Sequence, residues 1–214
     1  IKKPDVCKEL TLQPLRRYPL DAAITFTDIL TIPDAMGIPV KFIAGKGPVF
    51  ADSIQKNHLL KLNSEGALKK LEYVFEATAL TKANIEVPLI GFTGSPWTLF
   101  VYLFYGKSPK SHDELNSYLE LQSQNAHSYL EQLTEIVKDY VHAQVEAGAD
   151  CIQIFDSWGG LLDEKYEKLS LTYINQIASS IETNIPVILY TRGKLIDDIV
   201  NSTSITCFNL DTSD

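Results

Sequence analysis

Five short apolar runs punctuate the chain, at about residues 24–30, 87–92, 151–155, 186–190 and 205–210. They are rich in β-branched and aromatic side chains and bounded by Gly, Pro, Asp or Asn, which is how strands buried on both faces read. Between them the apolar positions recur three and four residues apart. Residues 65–84 carry Ala67, Leu68, Leu71, Val74, Phe75 and Leu80, and residues 112–147 carry Leu130, Leu133, Val137, Tyr140, Val141 and Val145. Each set makes an apolar stripe on a helix. Gly148 follows the second stripe and precedes the third strand, where a glycine just beyond a helix C-terminus belongs. Two shorter helices are predicted over residues 161–183 and 194–202.

Strand and helix in alternation predict a parallel sheet, because parallel neighbours need a crossover connection and a helix supplies it with a right-handed sense. An open doubly wound sheet would carry a glycine-rich phosphate turn after an early strand. The turn at 31–37 reads Thr-Ile-Pro-Asp-Ala-Met-Gly and lacks that spacing. Within the α/β class, a (β/α)8 TIM barrel is the better match. Five strands cannot close such a barrel, so the expectation is one incomplete domain over residues 1–214 holding roughly strands 2 to 6. An opening Ile1, and an end at Asp214 just past an apolar run, agree with an internal fragment.

Composition removes other classes. The net charge of −8 argues against a broad nucleic-acid surface, and the local cluster Lys2, Lys3, Lys8, Arg16 and Arg17 reads as the solvated face of a helix. Cys7, Cys151 and Cys207 are far apart and outside any CxxC or Cys/His pattern, so neither a disulfide framework nor a zinc site is indicated. A reducing cytoplasm fits that usage. No apolar run is long enough to span a bilayer, and residues 1–5 lack the apolar core of a signal peptide, so no membrane partner is expected.

In a barrel the functional groups stand at the carboxyl ends of the strands. Three stretches fall there: Asp28, the turn Gly-Phe-Thr-Gly-Ser-Pro-Trp at 91–97, and Asp-Ser-Trp-Gly-Gly at 156–160. An acid in the place of Asp28 caps the next turn, pairs with a cation or serves a ligand. Phe26, two residues earlier on the same strand, would point the same way and wall the site with apolar surface, which strengthens a carboxylate's field on a bound cation. The turn at 91–97 can face a ligand with its amides, with Ser95 as N-cap and Pro96 in the first turn of the following helix. Tyr102 follows Trp97 by about one and a half turns, near enough to send its hydroxyl toward the site mouth. Ser157 can offer a hydroxyl to a ligand carboxylate, with Phe155 lining the site beside it. A nucleophilic serine is not indicated, since Gly-x-Ser-x-Gly is absent and His58, His112, His127 and His142 fall in loops or helices. No HxxxH, HExxH or cluster of Cys with His points to a metal.

Several blocks, taken in order and spacing, carry a family resemblance. They are Thr-Leu-Gln-Pro-Leu-Arg-Arg at 11–17, Leu-Asp-Ala-Ala at 20–23, Phe-Thr-Asp-Ile-Leu at 26–30 and Gly-Lys-Gly-Pro at 45–48. Pro-Leu-Ile-Gly-Phe-Thr-Gly-Ser-Pro-Trp-Thr at 88–98, Gly-Ala-Asp at 148–150 and Phe-Asp-Ser-Trp-Gly-Gly at 155–160 complete the set. Through them the chain resembles uroporphyrinogen decarboxylase over nearly its full length. The resemblance implies a TIM-barrel enzyme of heme and related tetrapyrrole synthesis, without a cofactor, that removes the four acetate carboxyl groups of uroporphyrinogen. It implies that Asp28 reaches the pyrrole N–H groups of the substrate, that Tyr102 and Ser157 contact it, and that the enzyme is a homodimer with facing active sites. The family's Arg-Gln-Ala-Gly-Arg-Tyr segment and its late histidine have no counterpart in this chain. Two other readings remain open: a zinc-dependent corrinoid or thiol methyltransferase on the related barrel, and a non-catalytic tetrapyrrole-binding module.

Overall fold

The main sheet is laid down in chain order. In the computed structural model, which describes residues 2–109, 113–192, 199 and 205–209, helix α1 (Pro4–Arg17) leads into strand β1 (Ala23–Ile24) and helix α2 (Thr31–Ala35). A hairpin of β2 (Val40–Ile43) and β3 (Gly47–Phe50) follows, then α3 (Ala67–Lys70), α4 (Glu72–Lys82) and β4 (Leu89–Gly94). Next come α5 (Pro96–Tyr105), α6 (Asp113–Leu121), α7 (Ser123–Glu146) and β5 (Cys151–Asp156). Short irregular turns and α8 (Thr172–Ser180) precede β6 (Val187–Thr191) and β7 (Cys207–Asn209).

Strands β1, β4, β5, β6 and β7 form one sheet in that spatial order, every neighbouring pair parallel. Each new strand joins the same edge. A doubly wound sheet reverses direction at a switch point, and this one does not, so it is an arc of a (β/α)8 barrel with its crossover helices outside. The apolar core lies between the sheet and those helices, with Trp97, Phe100, Leu103, Leu130, Leu133, Ile152, Ile154 and Leu189 fully buried.

Several element boundaries depart from the sequence reading. The run at 24–30 yields a strand only at Ala23–Ile24. Thr25 still donates its N–H to the Ile90 carbonyl, but the Phe26 N–H goes to the Thr11 hydroxyl of α1 at 2.9 Å, which draws the backbone off the sheet. The neighbouring strand is then left with the backbone groups of Phe92 facing the side that β1 has vacated. Gln144 of α7 takes its place: its side-chain oxygen accepts the Phe92 N–H at 3.0 Å and its amide donates to the Phe92 carbonyl at 3.1 Å. Gly91 makes this approach possible, since a Cβ there would lie 2.9 Å from that oxygen.

The hairpin of β2 and β3 was not among the expected strands, although Val-Lys-Phe-Ile followed by a turn with Gly45 and Gly47 is a hairpin signal. The expected helix at 65–84 breaks at Leu71, and the one at 112–147 breaks at Gln122, whose backbone is not helical. The single helix expected at 161–183 is replaced by 3-10 turns at Gly159–Leu161 and Asp163–Lys165 and a π turn at Glu167–Leu171 before α8. The helix expected at 194–202 lies outside the described residues, apart from Ile199. Gly148, at φ +106°, does close α7 as expected.

Candidate active site

The strand register decides which side chains enter the barrel. A Cβ on Gly91 would meet Gln144, Ala149 and Ile152, so position 91 faces the helices, together with Ile152 and Ile154 beside it. By alternation Phe92, Phe155 and Ser157 face the interior, and Asp156 faces outward. The rings agree: Phe92 meets Phe155 edge to face with centroids 5.5 Å apart, and Phe155 meets Tyr190 at 6.0 Å.

The rings of Phe92 and Phe155 wall a cavity of about 520 Å³ at the carboxyl ends of the strands. Phe26, Asp28, Phe92, Phe155 and Ser157 all line it, along with α1 residues such as Leu10 and Pro14. A second cavity of about 420 Å³ opens on the other side of Asp28, between Phe26, Phe42, Tyr73 and Lys2. Asp28 thus stands between two openings. Lys2 contributes no free cation to the second cavity, since it pairs with Asp34 at 2.5 Å.

Asp28 does not stand on the strand, as the sequence reading had it, but in the turn beyond it. Its Oδ1 accepts the Leu30 N–H at 2.7 Å, and its own carbonyl receives the Thr31 N–H and hydroxyl. That is an Asx turn opening α2, so the capping role is fulfilled with one oxygen. The other oxygen has no hydrogen bond among the described residues. Burial pushes the carboxyl above its ordinary range, against the pull of the Leu30 N–H. Nearby, burial and then the charges of Cys7, Asp34 and Asp28 push the Tyr73 phenol up to about 12.

Four of the five expected residues, Phe26, Asp28, Phe155 and Ser157, therefore meet around one cavity. Phe26 reaches it from a loop, with 43% of its surface exposed. Ser157 makes no hydrogen bond through its hydroxyl among the described residues. Tyr102 is not in the cavity lining. It sits on α5 with its ring edge-on to Trp158, centroids 6.0 Å apart, one residue from Ser157. Ser95 and Pro96 behave as expected: the Ser95 hydroxyl accepts the Thr98 N–H at 3.0 Å and Pro96 opens α5.

Phe92 was missed, although its place one residue after Gly91 in a buried strand put it on the interior face. Asp156 was named only as part of a turn. Its carboxylate is fully buried among the hydroxyls of Ser95, Thr98, Ser170 and Tyr166. Among the described residues, no three His, Cys, Asp or Glu side chains come together as metal ligands, and no helix is long and apolar enough to cross a membrane.

Comparison with known proteins fits this arrangement. The family model described as uroporphyrinogen decarboxylase matches residues 1–214. A curated protein named uroporphyrinogen decarboxylase from Francisella tularensis subsp. novicida is 47% identical over 197 residues, covering 90% of this chain and 57% of that protein. One of the same name from Dichelobacter nodosus is 45% identical over 195 residues, with 90% and 56% covered. Among solved structures, a methyltransferase from Methanosarcina mazei superposes with a TM-score of 0.75 at 20% identity, covering 90% of this chain and 57% of that one. A B12-independent methionine synthase from Shewanella gives 0.55 at 10%, with 88% and 50% covered. At such identities these two show the fold alone. This chain belongs to the uroporphyrinogen decarboxylase family and spans a little over half the length of the curated relatives it matches.

Proposed function

We propose that the chain supplies the Asp28 wall of the active site in an enzyme that converts uroporphyrinogen to coproporphyrinogen, removing four acetate carboxyl groups as carbon dioxide and leaving methyls. One observation carries this reading: in a chain of this family, Asp28, with one carboxylate oxygen that takes no hydrogen bond among the described residues, lines a cavity walled by aromatic rings.

The chemistry asks for such a group. Protonation of a pyrrole ring carbon makes a cation. The electrons of the breaking bond to the carboxyl carbon flow into that cation as carbon dioxide leaves, giving an exocyclic methylene. A proton then adds to the methylene and the ring carbon gives up the proton it first took, which leaves a methyl on a neutral pyrrole. A fixed anion beside the ring in a site poor in water lowers the energy of the cation more than that of the neutral pyrrole, and so lowers the barrier. Asp28 would accept pyrrole N–H donors through its spare oxygen. Phe92 and Phe155 would exclude water, and Ser157 would donate to a substrate carboxylate. Tyr102 joins this set through its contact with Trp158. The same reading takes the enzyme as a cytoplasmic homodimer without a cofactor, and its substrate-facing arginines as lying outside this sequence.

The test uses the protein at the full length of its relatives. It should release carbon dioxide from uroporphyrinogen, and Asp28→Gly should lower turnover at least ~1,000-fold, on the order of 4 kcal/mol of barrier, with far-UV circular dichroism unchanged. Turnover near the wild-type rate in that variant would overturn the assignment of Asp28.

A further inference from the structure

Asp156 lies on the outer face of β5, behind the site. Its Oδ1 accepts hydrogen bonds from the Ser95 hydroxyl at 2.6 Å and the Thr98 hydroxyl at 3.3 Å, and its Oδ2 from the Ser170 hydroxyl at 2.9 Å. The Tyr166 side chain packs beside the same carboxyl. Ser95 is the N-cap of α5 and Thr98 lies in its first turn, so the carboxylate sits at the positive end of a ten-residue helix. Gly159 keeps the space open, since a Cβ there would come within 2.2 Å of Oδ2.

The same helix end holds the residue on the far side of Ser157. The Thr98 hydroxyl oxygen receives the Trp158 N–H at 3.4 Å, and the Trp97 indole N–H donates to the Trp158 carbonyl at 2.8 Å. Thr98 therefore spends its one proton on Asp156 and its lone pair on Trp158. Ser157 is thus bracketed, by a side chain at 156 and by both backbone groups at 158. Since its hydroxyl has no hydrogen-bond partner among the described residues, its direction is set by this bracket.

We infer that Asp156 and Thr98 are positioning residues that aim the Ser157 hydroxyl into the cavity by locking the exit of β5 onto the first turn of α5. What Ser157 meets there rests on the decarboxylase reading. The bracket itself does not.

The full-length protein gives the test through a double-mutant cycle. Thr98→Val keeps the shape and removes the bridge. It should lower kcat/KM for uroporphyrinogen about tenfold, mostly through KM, while Thr98→Ser stays within about twofold. In a Ser157→Ala background, Thr98→Val should change nothing further. An equal loss in both backgrounds would overturn the inference, because a structural defect acts whether or not the serine hydroxyl is present. A second readout needs no turnover. The Trp158 N–H is held by the Thr98 hydroxyl, so amide hydrogen exchange at Trp158 follows the bridge with every other part of the bracket in place. Thr98→Val should speed that exchange about tenfold, and an unchanged rate would overturn the bracket. If the wild type does not decarboxylate uroporphyrinogen, the functional reading fails while this second readout still decides the bracket.

Discussion

Asp28 follows β1 and Asp156 ends β5, two strands of one sheet with β4 between them, and the two acids meet opposite surroundings. Asp156 points away from the barrel and accepts from three hydroxyl donors, those of Ser95, Thr98 and Ser170, none of them a cation. Among the described residues, the Asp28 carboxyl accepts a single backbone N–H and has a second oxygen without a hydrogen bond, in the lining of a cavity. Burial raises the pKa of both carboxyls. Burial therefore does not tell a ligand-facing acid from an internal one. Saturation does: an anion whose lone pairs are all met by the protein fixes structure, and one left short of donors is ready for a ligand.

This contrast is broken most severely at Asp156. Asp156→Ala leaves the hydroxyls of Ser95, Thr98 and Ser170 without their common acceptor and should cost about 3 kcal/mol or more in urea unfolding. Adding a methyl at Gly159 crowds the same carboxylate, so Gly159→Ala should cost about 2 kcal/mol. Gln144→Leu strips both backbone groups of Phe92 of their partners, and a loss of about 1.5 kcal/mol is expected, with faster amide exchange at Phe92.

The smallest effect is in the pH dependence. Because burial raises the folded-state pKa of Asp28, the folded protein holds that proton more tightly than the unfolded chain. Stability therefore falls as pH rises from the ordinary carboxylate value through the raised one, and the loss persists at neutral pH. Activity should run the other way, rising as the carboxyl ionises, so the acid limb of the pH–rate profile should lie above the ordinary carboxylate range. An acid limb at or below that range would remove the contrast from the Asp28 side.

The sequence revealed the strand ends and not how the chain leaves them. Alternation of strand and helix, the absence of a phosphate-binding glycine turn, and the Ser95 and Pro96 helix start were all local signals, and the structure carries them. The early departure of β1 depends on Thr11 of α1, which takes the Phe26 N–H, and on Gln144 of α7, which meets the backbone groups left open on β4. No local pattern records that. The free oxygen of Asp28 was equally hidden, because its neighbour Leu30 takes only one of two equivalent atoms. The role of Asp156 rests on donors from positions 95, 98 and 170, brought together only by the β4 to α5 and β5 to α8 connections. Phe92, by contrast, was within reach, since period-two alternation from the buried Gly91 placed it inward.

The most direct test compares Asp28→Asn with the wild type at the full length of the relatives, measuring turnover of uroporphyrinogen and thermal unfolding at neutral pH together. Asparagine still accepts the Leu30 N–H but carries no charge. Turnover should fall at least ~1,000-fold, while the melting temperature stays level or rises, because a buried charge without a counterion has been removed. A melting temperature lower by several degrees with turnover kept within tenfold would show that Asp28 is a turn cap and nothing more.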